Sequence, residues 1–238
     1  GDATKAYRLG KWFGQRYGSR NNVLWIISGE YSEILFNRIN VINSMAQGIK
    51  DGGGGQLMTI HPASPPTSSV DFHNSSWLSF NMLQTGNLEN FTVTSSDYNL
   101  SPIKPVVDGE SAYESPPIGF FSDFDAGVKY GPDFIRRKAY WSVFAGAIGH
   151  TYGYVKWSTL NAVSRGQMRY LRSLIESKPI LGRIPDQSIV TSTIGTGIDH
   201  IQATRGANGI YAWIYIPTGG AATINMAKLS GPQVSVSW

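Results

Sequence analysis

Apolar positions give the first reading of this chain. Near the start they recur at helical spacing, at Tyr7, Leu9, Trp12, Phe13 and Tyr17, and the pattern closes at Gly18. The next stretch, NVLWIISGEY, is apolar without a break from Val23 to Ile27 and ends in Gly29-Glu30-Tyr31. Continuous rather than alternating hydrophobicity predicts a strand covered on both faces. A helical segment follows over 34–49 and closes in DGGGG. With no Gly-Lys-Ser/Thr behind them, these glycines predict a flexible turn rather than a phosphate loop. Further apolar runs lie in QLMTIHP, SWLSFNMLQTG, KPVVDGE and IGHTYGYVKW. A short helix is predicted before the third of these, one over 134–147 before the fourth, and a last one over 166–177.

Strands alternating with helices predict a parallel sheet, whose carboxyl ends lie together on one side. Each run ends on a residue able to do chemistry: Glu30, His61, Gln84, Glu110 and His150. On this reading the three carboxylates of KPVVDGESAYE (Asp108, Glu110 and Glu114) stand at the open mouth of a sheet. From about residue 185 the texture changes to short alternating runs separated by Gly, Asn and Pro, such as GIYAWIYIP and QVSVSW, which predict a small antiparallel β module. The expected organisation is therefore an α/β domain over 1–182 and a β module over 183–238.

Composition narrows the function. The chain has 238 residues, 41% hydrophobic and 12% aromatic, enough for a large core. Net charge is only +4. The one basic cluster, Arg136-Arg137-Lys138, sits in a helical pattern, so no nucleic-acid footprint is read. No stretch of 18 apolar residues predicts a membrane helix, and no membrane partner is expected. Without cysteine there is no disulfide, thiol nucleophile or thiolate metal site. The four histidines are isolated, and no Gly-x-Ser-x-Gly elbow, His-Glu-x-x-His or dinucleotide fingerprint occurs, so no metal or cofactor is expected. Sequons at Asn74, Asn90 and Asn99 are read as chance occurrences in a Ser- and Asn-rich chain.

Two acids at strand ends, Glu30 and Glu110, suit glycoside hydrolysis. One carboxyl protonates the leaving oxygen, and the other attacks the anomeric carbon or activates water. Helix caps and ion pairs also use acids, so the surroundings count. Sugar rings stack on aromatics while their hydroxyls need polar partners. Trp77, Tyr113 and Tyr152 are candidates for the first role; His61, Asn81, Gln84, Asp108 and His150 are candidates for the second. Trp25, Tyr31 and Trp157 fall near the same strand ends, with Trp25 read as core. Asp108 and Glu114 have a structural alternative, as loop caps paired with Arg or Lys.

Six stretches in order, NVLWIISGEY, MTIHP, WLSFNMLQTG, KPVVDGESAYE, RRKAYWSVFAGAIGHTYGY and RGQMRYLRSL, resemble the apiosidase-like glycoside hydrolases, family 140 and its relatives. ATRGANGIYAWIYIPTGG resembles that family's C-terminal β domain, named for collagen binding, although nothing in the stretch itself shows such binding. The resemblance covers nearly the whole chain. It implies a (β/α)8 TIM-barrel-type fold that cleaves glycosidic bonds in plant cell-wall polysaccharides, notably apiose-linked side chains of pectin. It also implies secretion or export to the periplasm. The acid on strand four would be the general acid/base and the glutamate on strand seven the nucleophile, positions that Glu30 and Glu110 occupy; retention of configuration is expected. Two departures stand out. The family reads Gly-Gly-Asp where this chain has Ser28-Gly29-Glu30, so the acid is one methylene longer. The five strands match strands four to eight only, so an N-terminal segment or a second chain is expected to complete the barrel. The alternative expectation is a catalytically inactive carbohydrate-binding or structural protein derived from the barrel.

Overall fold

The computed structural model describes residues 1–32, 38–64, 66–86, 88–114, 130–154 and 160–238, and these fall into two compact units. The first unit contains Gly1–Thr85 and Ser96–Glu110, the second Gly86–Ser95 and Ser111–Trp238.

In the first unit, helix α1 (Ala3–Tyr17) starts at Asp2, whose carboxylate accepts the Lys5 backbone N–H at 3.0 Å. Strands β1 (Trp25–Ile26) and β2 (Tyr31–Ser32) precede α2 (Arg38–Asp51), the described part of the second predicted helix. Strands β3 (Met58–Thr59) and β4 (Pro62–Ser64), a one-turn helix α3 (Ser69–Phe72) and strand β5 (Asn81–Gln84) follow. Helix α4 (Asn90–Tyr98), whose residues up to Ser95 belong to the second unit, leads to strand β6 (Val106–Glu110). The pairings are parallel: Trp25 opposite Met58, Tyr31 opposite Pro62, and Asn81 opposite Val106. Tyr31, Ile42, Ala46, Ile49, Met58, Ile60, Phe72, Trp77 and Leu78 form the core. Trp25 packs against this core, and its indole N–H donates to Gln56 at 2.8 Å.

The glycines of α1 and α2 have a role that periodicity did not show. A methyl group on Gly10 would come 2.3 Å from the Met45 carbonyl oxygen, and one on Gly14 2.2 Å from that of Ile49. From the other helix, Gly48 would meet the Tyr7 carbonyl at 2.2 Å and Gly52 that of Lys11 at 2.3 Å. The spacing Gly10-x3-Gly14 against Gly48-x3-Gly52 thus lets two backbones touch where any side chain would hold them apart. The predicted flexible turn is corrected in part, because Gly52 belongs to this seam and is fixed by packing.

The second unit holds β7 (Tyr113–Glu114), α5 (Pro132–Phe144), β8 (Gly149–His150), β9 (Gly153–Tyr154) and α6 (Ala162–Glu176). Helix α5 begins with proline at a position where no backbone donor is needed. Strands β7 and β9 pair in parallel. Then β10 (Arg183–Pro185), β11 (Gln202–Gly206) and β12 (Ala212–Tyr215) form the antiparallel sheet expected of the C-terminal region. Its own core is Ile189, Val190, Ile201 and Ala203. It also shares an aromatic core with the helices: Tyr215 stacks on Tyr140 at 4.5 Å and Trp213 on Phe144 at 6.1 Å. His200 stacks on Phe91 at 3.7 Å, and its carbonyl accepts the Trp141 indole N–H at 2.8 Å.

The basic cluster of α5 is used internally. Arg136 reaches Asp133 and the Tyr215 hydroxyl, Arg137 lies over the Phe134 and Trp141 rings, and buried Lys138 donates to the Leu88 carbonyl. The Asn90 side chain is also buried, donating to the Lys138 carbonyl at 2.8 Å, so that sequon presents no acceptor amide. No described helix is long and apolar enough to cross a membrane.

The glycine seam is tested by two substitutions. Gly14→Ala forces α1 off α2 and should cost about 1–3 kcal/mol. Gly166→Ala, at a helical glycine of α6 with open space around its Cβ position, should stabilise by about 0.5–1 kcal/mol. Chemical denaturation of both variants reads the difference; equal and small effects would remove the packing role of Gly14.

The β module carries a pH signature. Burial pushes the Asp186 carboxyl up, but hydrogen bonds from Ser188 and Arg205 and the Lys228 charge outweigh it and hold the group below the ordinary carboxylate range. A depressed carboxyl adds stability that is full above the unfolded value near pH 4 and is lost as pH falls through the folded value. Asp186→Asn should therefore cost about 1.5–3 kcal/mol at neutral pH, the range for hydrogen bonds to a charged group. The gap to the parent protein should close in acid, which melting temperatures from pH 7 to pH 2 would show.

Candidate active site

The candidate site is built on the carboxyl ends of strands in the first unit. Residues 25–32 run as one interrupted strand along 57–64. The Ile27 N–H donates to the Thr59 carbonyl at 3.0 Å, the His61 N–H to Ser28 at 3.2 Å, and the Tyr31 N–H to His61 at 3.2 Å. Within that ladder Glu30 adopts φ +44°, the only positive φ at a non-glycine residue among those described. The left-handed conformation costs a residue with a side chain about 1–2 kcal/mol. Here it turns the Glu30 side chain out of the ladder to an exposed position. Held strain of this kind is characteristic of functional positions.

The second acid is placed by an irregularity. Along β5 and β6, Asn81 faces Val106, Met82 faces Val107 and Leu83 faces Asp108, but Gln84 faces Glu110. Gly109 is the extra residue, and a single inserted residue re-aims the side chain that follows it. A Cβ there would lie 2.1 Å from the Met82 methyl carbon, so any other residue would displace the end of that side chain. Glu110 is thereby set opposite the last residue of β5, and its Oε2 lies 2.9 Å from His61 Nε2. The Gln84 Nε2–H in turn donates to Glu30 Oε1 at 3.0 Å. Four of the predicted site residues, Glu30, His61, Gln84 and Glu110, are thus joined by direct contacts or strand register.

The other expected site residues are placed differently. Asp108 has no exposed surface, and both its oxygens accept from the Thr85 hydroxyl, at 3.2 and 3.0 Å. Glu114, in the second unit, is 1% exposed and accepts from the Ser164 hydroxyl at 2.7 Å. The open-mouth expectation for all three carboxylates of this stretch is therefore corrected. Glu110 alone keeps part of its side chain open, at 17%, and the other two are buried and accept hydrogen bonds from hydroxyl groups. Thr85 and Ser164 were not anticipated, since a lone hydroxyl carries no pattern. Asn81 is fully buried beside His73, with a 3.3 Å contact from its Oδ1 to Nδ1. Trp77 lies in the core against Phe72 at 5.3 Å and donates to Asn43 at 2.7 Å. Tyr31 is likewise a core residue, edge-on to Phe72.

Tyr113, His150 and Tyr152 belong to the second unit. The Tyr113 ring lies where a Cβ of Gly153 would be, 2.2 Å from its nearest carbon, so only glycine allows β7 and β9 to pair there. Burial, and then the Glu114 charge, push the Tyr152 phenol up, with Arg165 opposing. Tyr152 therefore remains a hydrogen-bond donor across the neutral range. His150 is half-buried in β8. Trp157 lies outside the described residues. Among those described, no group of three or more His, Asp or Glu side chains is arranged to hold a metal ion.

Comparison with known proteins places this geometry. Residues 2–182 match the family described as "Apiosidase-like, catalytic domain", and residues 184–238 match the "Putative collagen-binding domain of a collagenase". A crystal structure of a glycoside hydrolase family 5 protein from Bacteroides vulgatus superposes with a TM-score of 0.86 and 30% identity, over 97% of this chain and 57% of that one. A second solved structure, described as a glycoside hydrolase, has a TM-score of 0.87 and 31% identity, over 97% of this chain and 59% of that one. The chain thus spans less than two thirds of the length of either structural relative. No curated protein matches it. The family match runs through the strands that carry Glu30, His61, Gln84 and Glu110, and the chain belongs to the apiosidase-like catalytic domain family.

Proposed function

We propose that this chain carries the two catalytic carboxylates of a retaining glycoside hydrolase acting on side chains of plant cell-wall polysaccharides. The observation that carries the reading is the linked pair of acids at the carboxyl ends of parallel strands, with Gln84 against Glu30 and in register with Glu110. The Glu110 carboxylate attacks the anomeric carbon as the glycosidic C–O bond breaks, and Glu30 gives its proton to the departing oxygen. Water then attacks the glycosyl-Glu110 ester and returns a proton to Glu30, releasing the sugar with retained configuration. His61, 2.9 Å from Glu110, orients the nucleophile.

Asp108 and Asn81 act from beneath, as buried supports of β6 and β5. Membership of family 140 and cleavage of apiose-linked pectin side chains rest on the sequence resemblance. A polymeric substrate of that kind is met outside the cytoplasm, so export accompanies this reading.

A panel of aryl glycosides tests the activity. Glu30→Gln and Glu110→Gln should each lower turnover by about 10³-fold or more while melting within about a degree of the parent protein, since general acid catalysis alone contributes about 10²–10⁴-fold. Product analysis by NMR should show the same anomeric configuration in substrate and first-formed product. Wild-type rates in either variant would remove the assignment, and sugar binding without turnover by the parent chain would favour a non-catalytic binding role.

Glu30→Gly separates strain from chemistry. Glycine accepts the left-handed conformation freely, so this variant should melt at or above the parent temperature although turnover is lost. A melting temperature several degrees lower would show that the Glu30 side chain holds the fold together.

A further inference from the structure

The amide of Gln84 has a feature that substrate contact alone does not explain. Its Nε2 donates to Glu30 Oε1 at 3.0 Å, while its Oε1 is buried and accepts no hydrogen bond from the described residues. Its backbone is fixed, with the N–H donating to the Pro66 carbonyl at 2.9 Å and its Cα in register with Glu110. The residue therefore holds one acid by its side chain and is aligned with the other by its main chain. Glu30 itself has a strained backbone and an exposed side chain, so little else among the described contacts fixes its carboxyl group.

Resting on the two-glutamate reading, we propose that Gln84 is the positioning residue of the acid/base Glu30, setting where its carboxyl group stands relative to Glu110. A carboxamide suits this task because it has a donor at one end and an acceptor at the other. The amino end, which meets Glu30 Oε1 here, is the partner that suits an ionised carboxylate. A half-turn of the amide presents the oxygen to the O–H of the protonated form. Glu30 passes through both forms in each cycle, protonated before the first step and ionised before the second, and one side chain holds it in both. The buried oxygen is then the acceptor of the protonated half-cycle.

Gln84→Met keeps the length and removes both hydrogen-bonding ends. Departure of a good leaving group needs little proton transfer, whereas departure of a poor one depends on it. With the sugar identified by the aryl panel, kcat/KM of the variant should fall about 10- to 100-fold on the phenyl glycoside and less than about threefold on the 2,4-dinitrophenyl glycoside, because displacing an acid by about an ångström forfeits up to a hundredfold. Equal losses on both substrates would make Gln84 a substrate contact or a structural residue and overturn the proposal. Glu30→Gln is measured beside it: if that variant shows no leaving-group dependence, the acid assignment fails on its own account. Crystal structures of the parent and Gln84→Met proteins supply a readout independent of turnover. The Glu30 carboxyl group should be displaced or spread over several positions in the variant, and an unchanged, ordered Glu30 would overturn the proposal whatever the activity.

Discussion

The parallel pairing of β5 with β6, broken once at Gly109, is the constraint on which the candidate site rests. A regular ladder would have set Gly109 opposite Gln84. The extra residue brings Glu110 there instead, and the Met82 side chain closes over the glycine where any Cβ would collide with it. At that position Glu110 lies 2.9 Å from His61, and Gln84 opposite it donates to Glu30. Hydrogen bonds of the main chain, which are insensitive to side-chain identity, thus fix the placement of the most sensitive side chains in the molecule.

Around this constraint the molecule separates fully buried acids from acids that reach solvent. Asp108 and Glu114 are taken out of water and accept hydrogen bonds from the hydroxyl groups of Thr85 and Ser164. A buried carboxylate without such donors would carry a desolvation cost of several kcal/mol. With them it ties β6 to the segment after β5, and β7 to α6. Asp97 follows the same rule: burial raises its carboxyl, the hydroxyl groups of Thr67 and Ser69 oppose that, and the charge of His73 adds to the opposition. Glu30 and Glu110 keep access to solvent, and their partners include groups that can change partners in turn, an amide and an imidazole.

The second unit shows why the C-terminal sheet is not an appendage. Tyr215, Trp213 and His200 meet Tyr140, Phe144, Phe91 and Trp141 in stacked and edge-on contacts. Aromatic pairs in such geometry add about 0.5–1.5 kcal/mol each beyond the area they bury. The small sheet therefore shares its stability with α5 and α6, and the boundary between the two family matches, near residue 183, falls inside one compact body.

How much of this the chain announces in its sequence depends on the range of the interaction. Helices α1, α5 and α6, the parallel strands and the change to an antiparallel sheet all follow from local periodicity, because burial on one face or two writes itself into the spacing of apolar residues. Glu30, His61, Gln84 and Glu110 could be named because parallel strands bring their carboxyl ends to one side whatever the loops do. The sequence did not show that Trp77 and Asn81 are core residues, since an aromatic or amide beside a strand end looks the same whether it faces a ligand or a neighbouring helix. Nor did it show that Gly10, Gly14, Gly48 and Gly52 bring two backbones into contact, or that Gly109 shifts the register by one. The glycine contacts depend on partners 20 or more residues away, and whether a glycine, a carboxylate or an indole is exposed, strained or buried is settled only when the atoms of other elements arrive within a few ångströms of it.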